Sequence, residues 1–141
     1  MGKKYRDPLS VRVNWKYRTI LIVDDVVANY EIIKAALEPT SAKIEHAKTG
    51  LEGIRKALEN KKIDVVLMDI NLPGISGVEA ARELRLLKPD VVIIGQSAFI
   101  VSATRQQCFE AGMDDFFIKP ISSAELIAMI RLSLINRNKR I

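Results

Sequence analysis

From residue 19 onward the chain alternates between short apolar runs and amphipathic stretches, and this alternation restricts the fold more than any other feature. A run such as TILIVD at 19–24 is typical of a strand buried on both faces, whereas VANYEIIKAALEP at 27–39 repeats its apolar residues at helical spacing. Strands that alternate with helices through short turns predict one parallel sheet with helices on both faces. The predicted strands are 19–24, 42–47, 63–69, 91–97 and 115–119, and the predicted helices are 27–39, 49–60, 77–89, 101–112 and 122–137.

The predicted helices have recognisable ends and apolar faces. Thr49 and Ser122 are predicted N-caps, and Ser122 is followed three residues later by a glutamate; Pro39, Pro89 and Gly112 are predicted to end three helices. The helix residues predicted to face the core are Ile32, Ile33, Ala36, Leu37, Leu51, Ile54, Ala57, Leu58, Leu126, Met129, Ile130 and Leu134.

The length and the charge of the chain predict one globular domain with basic tails. A chain of 141 residues with 48% hydrophobic and 28% charged residues fits a single domain, which we place at 19–136. The net charge of +5 is located at the ends: residues 1–18 carry +5, residues 136–141 carry +3, and the body between them carries −3. We therefore predict a basic N-terminal tail or linker at 1–18, a C-terminal tail at 137–141, and no direct binding of nucleic acid.

Several sequence features bear on the compartment. No apolar run approaches the roughly 20 residues that span a bilayer, and no apolar segment follows the N-terminal KKYR, which argues against membrane contact by this domain and against a secretory signal. The single cysteine, Cys108, excludes an internal disulfide and fits a reducing compartment. We predict a cytoplasmic domain, whose parent protein can still be membrane-anchored.

The segment before residue 19 has a pattern of its own. Val11, Val13, Trp15 and Tyr17 alternate with polar residues. This alternation is compatible with an additional edge strand or an ordered linker that docks on the domain, and equally with a flexible tail.

Polar side chains stand at the ends of the predicted strands. Asp24 and Asp25 end the first strand, Asp69 the third, Ser97 the fourth and Lys119 the fifth. Because the carboxyl ends of parallel strands share one edge of the sheet, where such folds bind ligands, we expect these groups to lie together. Crowded carboxylates repel one another unless a cation lies between them, and a set of oxygen ligands suits Mg²⁺. An aspartate there can also act as a nucleophile and form an aspartyl phosphate.

Four motifs indicate a family. ILIVDD, VVLMDINLPGISG, IIGQSA and GMDDFFIKP, in this order, resemble the receiver domain of two-component response regulators, from about Thr19 to about Asn136. The resemblance implies a flavodoxin-like, doubly wound (βα)5 fold of the α/β class, a three-layer sandwich around a parallel five-stranded sheet in strand order 2-1-3-4-5. It also implies that the domain accepts a phosphoryl group from the phosphohistidine of a histidine kinase or a histidine phosphotransfer domain. The surface around strands 4 and 5 and helix 4 would then change shape.

The resemblance also implies a role for each metal ligand. Asp69 is the phosphoacceptor. Mg²⁺ would be bound directly by Asp25, by Asp69 and by the backbone carbonyl of Asn71, whereas Asp24 would act largely through water.

The phosphoryl group would have its own set of contacts. Ser97 and the backbone N–H of Ala98 would bind it, and Lys119 would pair with Asp69 or its phosphate; the Lys119–Pro120 bond is a candidate cis peptide. Phe116 occupies the position of an aromatic residue that reorients together with Ser97, and a core phenylalanine that never moves is the equal alternative.

Some features depart from the family pattern or leave alternatives open. LPGISG stands where Met-Pro-x-Met-Asp-Gly is usual, with little expected chemical effect. The flanking segments favour the receiver module of a hybrid sensor histidine kinase, with a stand-alone single-domain regulator as the alternative and homodimer formation on phosphorylation left open. The domain is not expected to be an enzyme beyond slow loss of its own phosphoryl group. An aspartyl-phosphate phosphohydrolase is less favoured because no second acid closely follows Asp69, and a flavin binder is disfavoured because VDDVVAN places two acids where phosphate would bind.

Overall fold

The computed structural model describes residues 12–98 and 102–137, with only the backbone described at 102 and 103. Strands and helices alternate along this part of the chain, as predicted, with a short 3-10 turn at Glu38–Thr40 after the first helix. The strands are β1 (Thr19–Val23), β2 (Lys43–Ala47), β3 (Ile63–Asp69), β4 (Val92–Ser97) and β5 (Asp115–Ile118). The helices are α1 (Val27–Leu37), α2 (Gly50–Glu59), α3 (Gly77–Leu87), α4 (Ser102–Glu110) and α5 (Ser123–Asn136).

The strands form one sheet in the order β2-β1-β3-β4-β5, and every neighbouring pair is parallel. This arrangement confirms the predicted fold class and strand order. Because all five strands run the same way, the residues that follow β1, β3, β4 and β5 emerge at one edge of the sheet.

Two apolar layers cover the sheet. One layer packs α1 and α5 against one face, and the other packs α2, α3 and α4 against the opposite face. The strand β3 is buried along nearly its whole length, which explains its continuous apolar sequence. No helix in the described ranges is both long enough and apolar enough to cross a bilayer.

Three residues predicted to face the core are exposed instead. Ile32 is 56% exposed, since Ile33 and Leu37 form the buried stripe of α1 and Ile32 lies about a quarter turn away. Leu51 and Leu58 are 66% and 43% exposed.

Small residues explain the orientation of α2. The buried stripe of α2 is Gly50, Gly53, Ile54 and Ala57. A Cβ at Gly53 would lie 2.9 Å from a methyl group of Val23, so the glycine allows the helix to approach β1 closely. The leucines of α2 therefore point away from the sheet.

Side-chain caps begin three of the helices. Thr49 Oγ1 accepts the Glu52 N–H at 3.0 Å, and Ser122 Oγ accepts the Glu125 N–H at 3.1 Å, which confirms both predicted caps. At α3, Ser76 and Glu79 form a complete capping box, in which each side chain accepts the backbone N–H of the other residue. The capping box therefore fixes the start of α3, at the end of the loop that follows Asp69.

The described residues before β1 pack on the domain without forming a strand. Trp15 is 1% exposed and belongs to the layer between the sheet and helices α1 and α5, and its backbone N–H donates to the Thr40 carbonyl at 2.7 Å. Arg18 forms an ion pair with Asp64. Residues 12–18 are thus ordered against the domain, whereas 1–11 and 138–141 lie outside the described residues.

Candidate functional site

The carboxyl edge of the sheet brings the predicted acids and the lysine together. Lys119, just after β5, places its Nζ 2.9 Å from Asp24 Oδ2 and 2.9 Å from Asp69 Oδ2. One carboxylate oxygen from each of Asp24, Asp25 and Asp69 lies within 4.8 Å of the others. The prediction that residues distant in sequence meet at this edge is borne out for these four residues.

Asp24 is the most enclosed member of the group. Its side chain is fully buried, Oδ1 accepts the Val26 N–H at 2.9 Å, and Oδ2 accepts from Lys119. The bond to the Val26 N–H closes a tight turn between β1 and α1. Val26 is the N-cap residue of α1, and its side chain makes no capping hydrogen bond. Asp24 therefore has both carboxylate oxygens engaged, whereas its neighbour Asp25 is exposed.

Asp69 is 5% exposed and bound on both oxygens. Oδ1 accepts the Asn71 N–H at 2.9 Å and Oδ2 accepts from Lys119. Burial raises the pKa of Asp69 above its ordinary value, against the lowering effect of the hydrogen bonds from Lys119 and Asn71.

Lys119 is the cation of the site. Burial lowers the pKa of Lys119, but its hydrogen bonds to Asp69 and Asp24 outweigh this effect and hold the pKa above its ordinary value. The ammonium group is therefore charged at neutral pH. The Lys119–Pro120 peptide bond is cis, in agreement with the sequence.

The donor set fits a hard divalent cation. One positive charge on Lys119 faces three carboxylates, so the cluster has an excess of negative charge. Mg²⁺ prefers carboxylate and carbonyl oxygens together with water, and Asp24, Asp25 and Asp69 each offer a carboxylate oxygen within 4.8 Å of the others.

Ser97 and Asn71 line a cleft beside this group of charges. Ser97 ends β4 and is 2% exposed, and Asn71 Nδ2 lies 3.5 Å from its Oγ. The cleft has a volume of about 460 Å³ and runs between α3 and α4. Its other lining residues are Ile70, Ser76, Val78, Arg82, Thr104 and Gln107.

Phe116 lies below the edge, within the layer that α3 and α4 cover. It is 3% exposed and is paired with Gly95 across β4 and β5. A Cβ on Gly95 would lie 2.6 Å from Met113 Sδ and 3.0 Å from Phe116 Cδ2. Gly95 therefore provides the space in which the Phe116 ring packs.

Ala98 contributes to a second, more apolar pocket on the other side of Lys119. This pocket has a volume of about 250 Å³ and lies between α1 and the loop before α5. Its lining residues are Asn29, Ile32, Ile33, Ala98, Lys119, Pro120 and Ile121. Residues 99–101, within the segment predicted to change shape, lie outside the described residues.

Sequence reasoning missed three supports of the site. Gly77 approaches the Asp69 backbone so closely that a Cβ would lie 2.0 Å from the Asp69 carbonyl oxygen. The Ser76–Glu79 capping box was visible as a serine followed three residues later by a glutamate. His46 Nε2 lies 2.8 Å from the Asp24 carbonyl oxygen, a contact that only the register of β2 on β1 reveals.

Comparison with known proteins shows where this arrangement recurs. Residues 20–131 match the sequence profile of the response regulator receiver domain. The chain is 36% identical over 115 residues to the transcriptional regulatory protein ResD of Bacillus subtilis, in a match that covers 82% of this chain and 47% of ResD. It is 29% identical over 119 residues to hybrid signal transduction histidine kinase L of Dictyostelium discoideum, covering 79% of this chain and 7% of that protein. The chain thus spans half or less of the length of these relatives.

Solved structures share the fold. A CheY-like response regulator receiver domain protein from Methanospirillum hungatei superposes with a TM-score of 0.78 at 29% identity, covering 86% of this chain and 96% of that one. A two-component response regulator from Clostridium difficile gives a TM-score of 0.79 at 25% identity, covering 86% and 99%.

Proposed function

The chain belongs to the response regulator receiver domain family, and on that premise we propose that Asp69 accepts a phosphoryl group from a phosphohistidine. The observation that carries this proposal is the position of Lys119 Nζ, 2.9 Å from the carboxylates of both Asp24 and Asp69, within a cluster of three acids. This geometry supports the proposal, because a candidate nucleophile, a cation and candidate metal ligands lie together at one edge of the sheet.

The proposed reaction is a direct transfer. An oxygen of the Asp69 carboxylate forms a bond to phosphorus while the P–N bond of the phosphohistidine breaks, and the electron pair of that bond returns to the imidazole nitrogen. The Lys119 ammonium lies beside Asp69, where it can offset the charge on the phosphoryl oxygens. The Ser97 hydroxyl and the Ala98 N–H supply further donors to these oxygens.

Mg²⁺ is the proposed cofactor. When bound, it supplies positive charge that offsets the carboxylates and the phosphoryl oxygens. Asp25, Asp69 and the Asn71 carbonyl would hold it. Asp24 would contact it largely through water, because its side chain is fully buried behind the exposed Asp25.

The proposed output is a shift between two conformations. Phosphorylation adds acceptor oxygens at the sheet edge, Ser97 moves toward them, and the Phe116 ring reorients in the space beside Gly95. The surface of β4, β5 and α4 changes as a result, and a partner that prefers the new surface stabilises it.

The proposed setting is a module of a hybrid histidine kinase, with a stand-alone single-domain regulator as the alternative, since the relatives include a hybrid histidine kinase and the similar structures include a CheY-like chain of which 96% is covered. The phosphoryl donor is then a histidine kinase or a histidine phosphotransfer domain. We place the domain in the cytoplasm, without direct contact to nucleic acid or membrane, and we expect no turnover of external substrates beyond slow loss of its own phosphoryl group.

Treatment with acetyl phosphate and Mg²⁺ tests the proposal. Intact-mass spectrometry should show one added phosphoryl group on the wild-type chain and none on Asp69→Asn. Asp90→Asn is the matched control, because Asp90 is exposed and lies outside the acid cluster; it should be modified like the wild type. Modification of Asp69→Asn to the wild-type level would show that Asp69 is not the acceptor.

Beryllofluoride with Mg²⁺ tests the conformational step separately. Backbone amide NMR signals of Ser97, Phe116 and α4 should shift in the wild type and stay in place in Asp69→Asn. Phosphotransfer from a panel of histidine kinases and phosphotransfer domains would identify the donor. Light scattering of the beryllofluoride-treated domain would decide whether a homodimer forms.

A further inference from the structure

The His46 imidazole stacks on Tyr30 and contacts the backbone of Asp24. Asp24 belongs to the acid cluster, which consists of Asp24, Asp25 and Asp69. We propose that His46 is a positioning residue: its imidazole fixes the backbone carbonyl of Asp24 and thereby orients the Asp24–Asp25 peptide for Mg²⁺ binding. This inference rests on the proposed function, since it concerns the metal that the phosphoacceptor site would use. His46 does not belong to the acid cluster itself, and it acts from the neighbouring strand β2.

The key contact joins a ring nitrogen to a backbone oxygen. His46 Nε2 lies 2.8 Å from the Asp24 carbonyl oxygen. A carbonyl oxygen can only accept a hydrogen bond, so Nε2 must carry the proton and donate. The geometry therefore assigns the tautomer of this imidazole.

Strand β2 binds both the carbonyl and the N–H of Asp24. The Asp24 N–H donates to the carbonyl of Ala47, the residue after His46, at 3.0 Å. The side chain of Asp24 is fully buried, so a carbonyl released by the imidazole would have little access to water as a replacement. The end of β2 thus fixes the backbone of Asp24 through two bonds in opposite directions.

The hydrogen bond from His46 to the Asp24 carbonyl also constrains Asp25, through the peptide plane that the two residues share. The carbonyl of Asp24 and the N–H of Asp25 belong to one planar unit, so a rotation of the first moves the second. Asp25 is exposed, and its carboxylate is one of the three oxygen donors within 4.8 Å of one another. The orientation of this peptide therefore sets the direction in which the Asp25 side chain leaves the backbone.

The imidazole is itself held in place. His46 pairs in register with Ile22 on β1, so its side chain lies on the face covered by α1. Tyr30 of α1 stacks on the ring, with 3.8 Å between centroids and an interplanar angle of 6°. Lys56 Nζ binds the His46 carbonyl from the side of α2. A ring stacked on one face and bonded at its nitrogen has little freedom to turn.

Two substitutions separate the hydrogen bond from the packing. His46→Phe keeps an aromatic ring against Tyr30 but removes the donor. His46→Gln places an amide nitrogen the same number of bonds from Cα as Nε2 and keeps the donor. Isothermal titration calorimetry with Mg²⁺ alone should show about tenfold weaker binding for His46→Phe and near wild-type binding for His46→Gln.

A second measurement needs no metal. The Val26 N–H follows the Asp24–Asp25 peptide and donates to Asp24 Oδ1 at 2.9 Å, so it should exchange faster with solvent in metal-free His46→Phe than in the metal-free wild type, with exchange in β3 and β4 unchanged. Because the chain contains one histidine, its imidazole nitrogen signals need no assignment and should show the Nε2-protonated form in the wild type.

The outcomes distinguish the two proposals. If His46→Phe binds Mg²⁺ as the wild type does and its Val26 amide exchanges at the wild-type rate, the positioning role is wrong, even if the melting temperature falls. If the wild type itself binds no Mg²⁺, the metal part of the proposed function is wrong, and the exchange rate of the Val26 amide alone decides whether His46 orients the peptide. Loss of binding in His46→Gln as well as in His46→Phe would also overturn the role, because the donor would then be irrelevant.

Discussion

Gly77→Ala provides the most direct test of how the phosphoacceptor is held. A Cβ at this position would lie 2.0 Å from the Asp69 carbonyl oxygen and 2.8 Å from both the Asp69 carbonyl carbon and the Ile70 Cα. Ordinary contacts between carbon and oxygen begin at about 3.3 Å. All three neighbours are backbone atoms, so the start of α3 would have to move by more than about 1 Å relative to the end of β3.

Two effects of this substitution have opposite signs. Alanine is a better helix former than glycine by about 1 kcal/mol, which alone would stabilise α3. Crowding in a packed region costs about 1–3 kcal/mol, and loss of the Ser76 cap would add about 1 kcal/mol. Because the added Cβ would lie only 2.0 Å from the Asp69 carbonyl oxygen, we expect crowding to outweigh the gain in helix propensity. The expected net loss is about 2 kcal/mol in the free energy of unfolding.

Urea unfolding followed by the fluorescence of Trp15, the one tryptophan of the chain, would measure this loss. The control is Gly74→Ala. Gly74 has a φ of +78°, and a Cβ added there would have no neighbouring atom within 4 Å, so the cost should be only the roughly 1 kcal/mol of a left-handed alanine. Gly77→Ala should also weaken Mg²⁺ binding, because the atom it crowds belongs to Asp69, whereas Gly74→Ala should not. A Gly77→Ala protein as stable as the wild type, or more stable, would refute the contact argument.

Three further perturbations have expected outcomes. Lys119→Met leaves the carboxylates of Asp24 and Asp69, whose side chains are 0% and 7% exposed, without their cation. We expect the free energy of unfolding of the metal-free protein to fall by about 3–5 kcal/mol, and Mg²⁺ to restore part of this loss in thermal melts. Burial raises the pKa of Asp69, so its ionisation on going from acid to neutral pH destabilises the metal-free fold; Asp69→Asn should match the wild type near the acid end and exceed its stability at neutral pH in urea titrations with a chelator. Trp15→Ala should cost about 3–5 kcal/mol, but Trp15→Phe much less, because the buried Nε1 has no partner among the described residues; circular dichroism melts would compare them.

The sequence predicted the fold and the edge of the site because both depend on patterns along the chain. Buried strands can be recognised in the sequence as apolar runs. A parallel sheet places the residues that end its strands at one edge, so Asp24, Asp69 and Lys119 meet there although they are far apart in sequence. The clustering of these residues could be expected before any distance was known.

Other features depend on distances that no pattern contains. Leu51 has the hydrophobicity of a core residue, but α2 lies so close to β1 that two glycines, together with Ile54 and Ala57, form its buried stripe. The role of Gly77 depends on a single backbone approach, and that of His46 depends on the register of an edge strand. The alternation around Trp15 left an edge strand, a docked linker and a flexible tail open, and only the structure shows that residues 12–18 dock through the Trp15 side chain and a few hydrogen bonds.

The anchoring of Trp15 bears on where this domain can be cut. The family match covers residues 20–131, but Trp15 and Leu134, at 1% and 0% exposed, both pack in the layer between the sheet and helices α1 and α5. A fragment or a chimera with its boundaries at the ends of the match would remove one large side chain from each end of this layer. The segment that can be moved intact into another protein is therefore longer than the segment that matches the family, residues 20–131. Chimeras that carry this receiver domain should begin before Trp15 and end after Leu134.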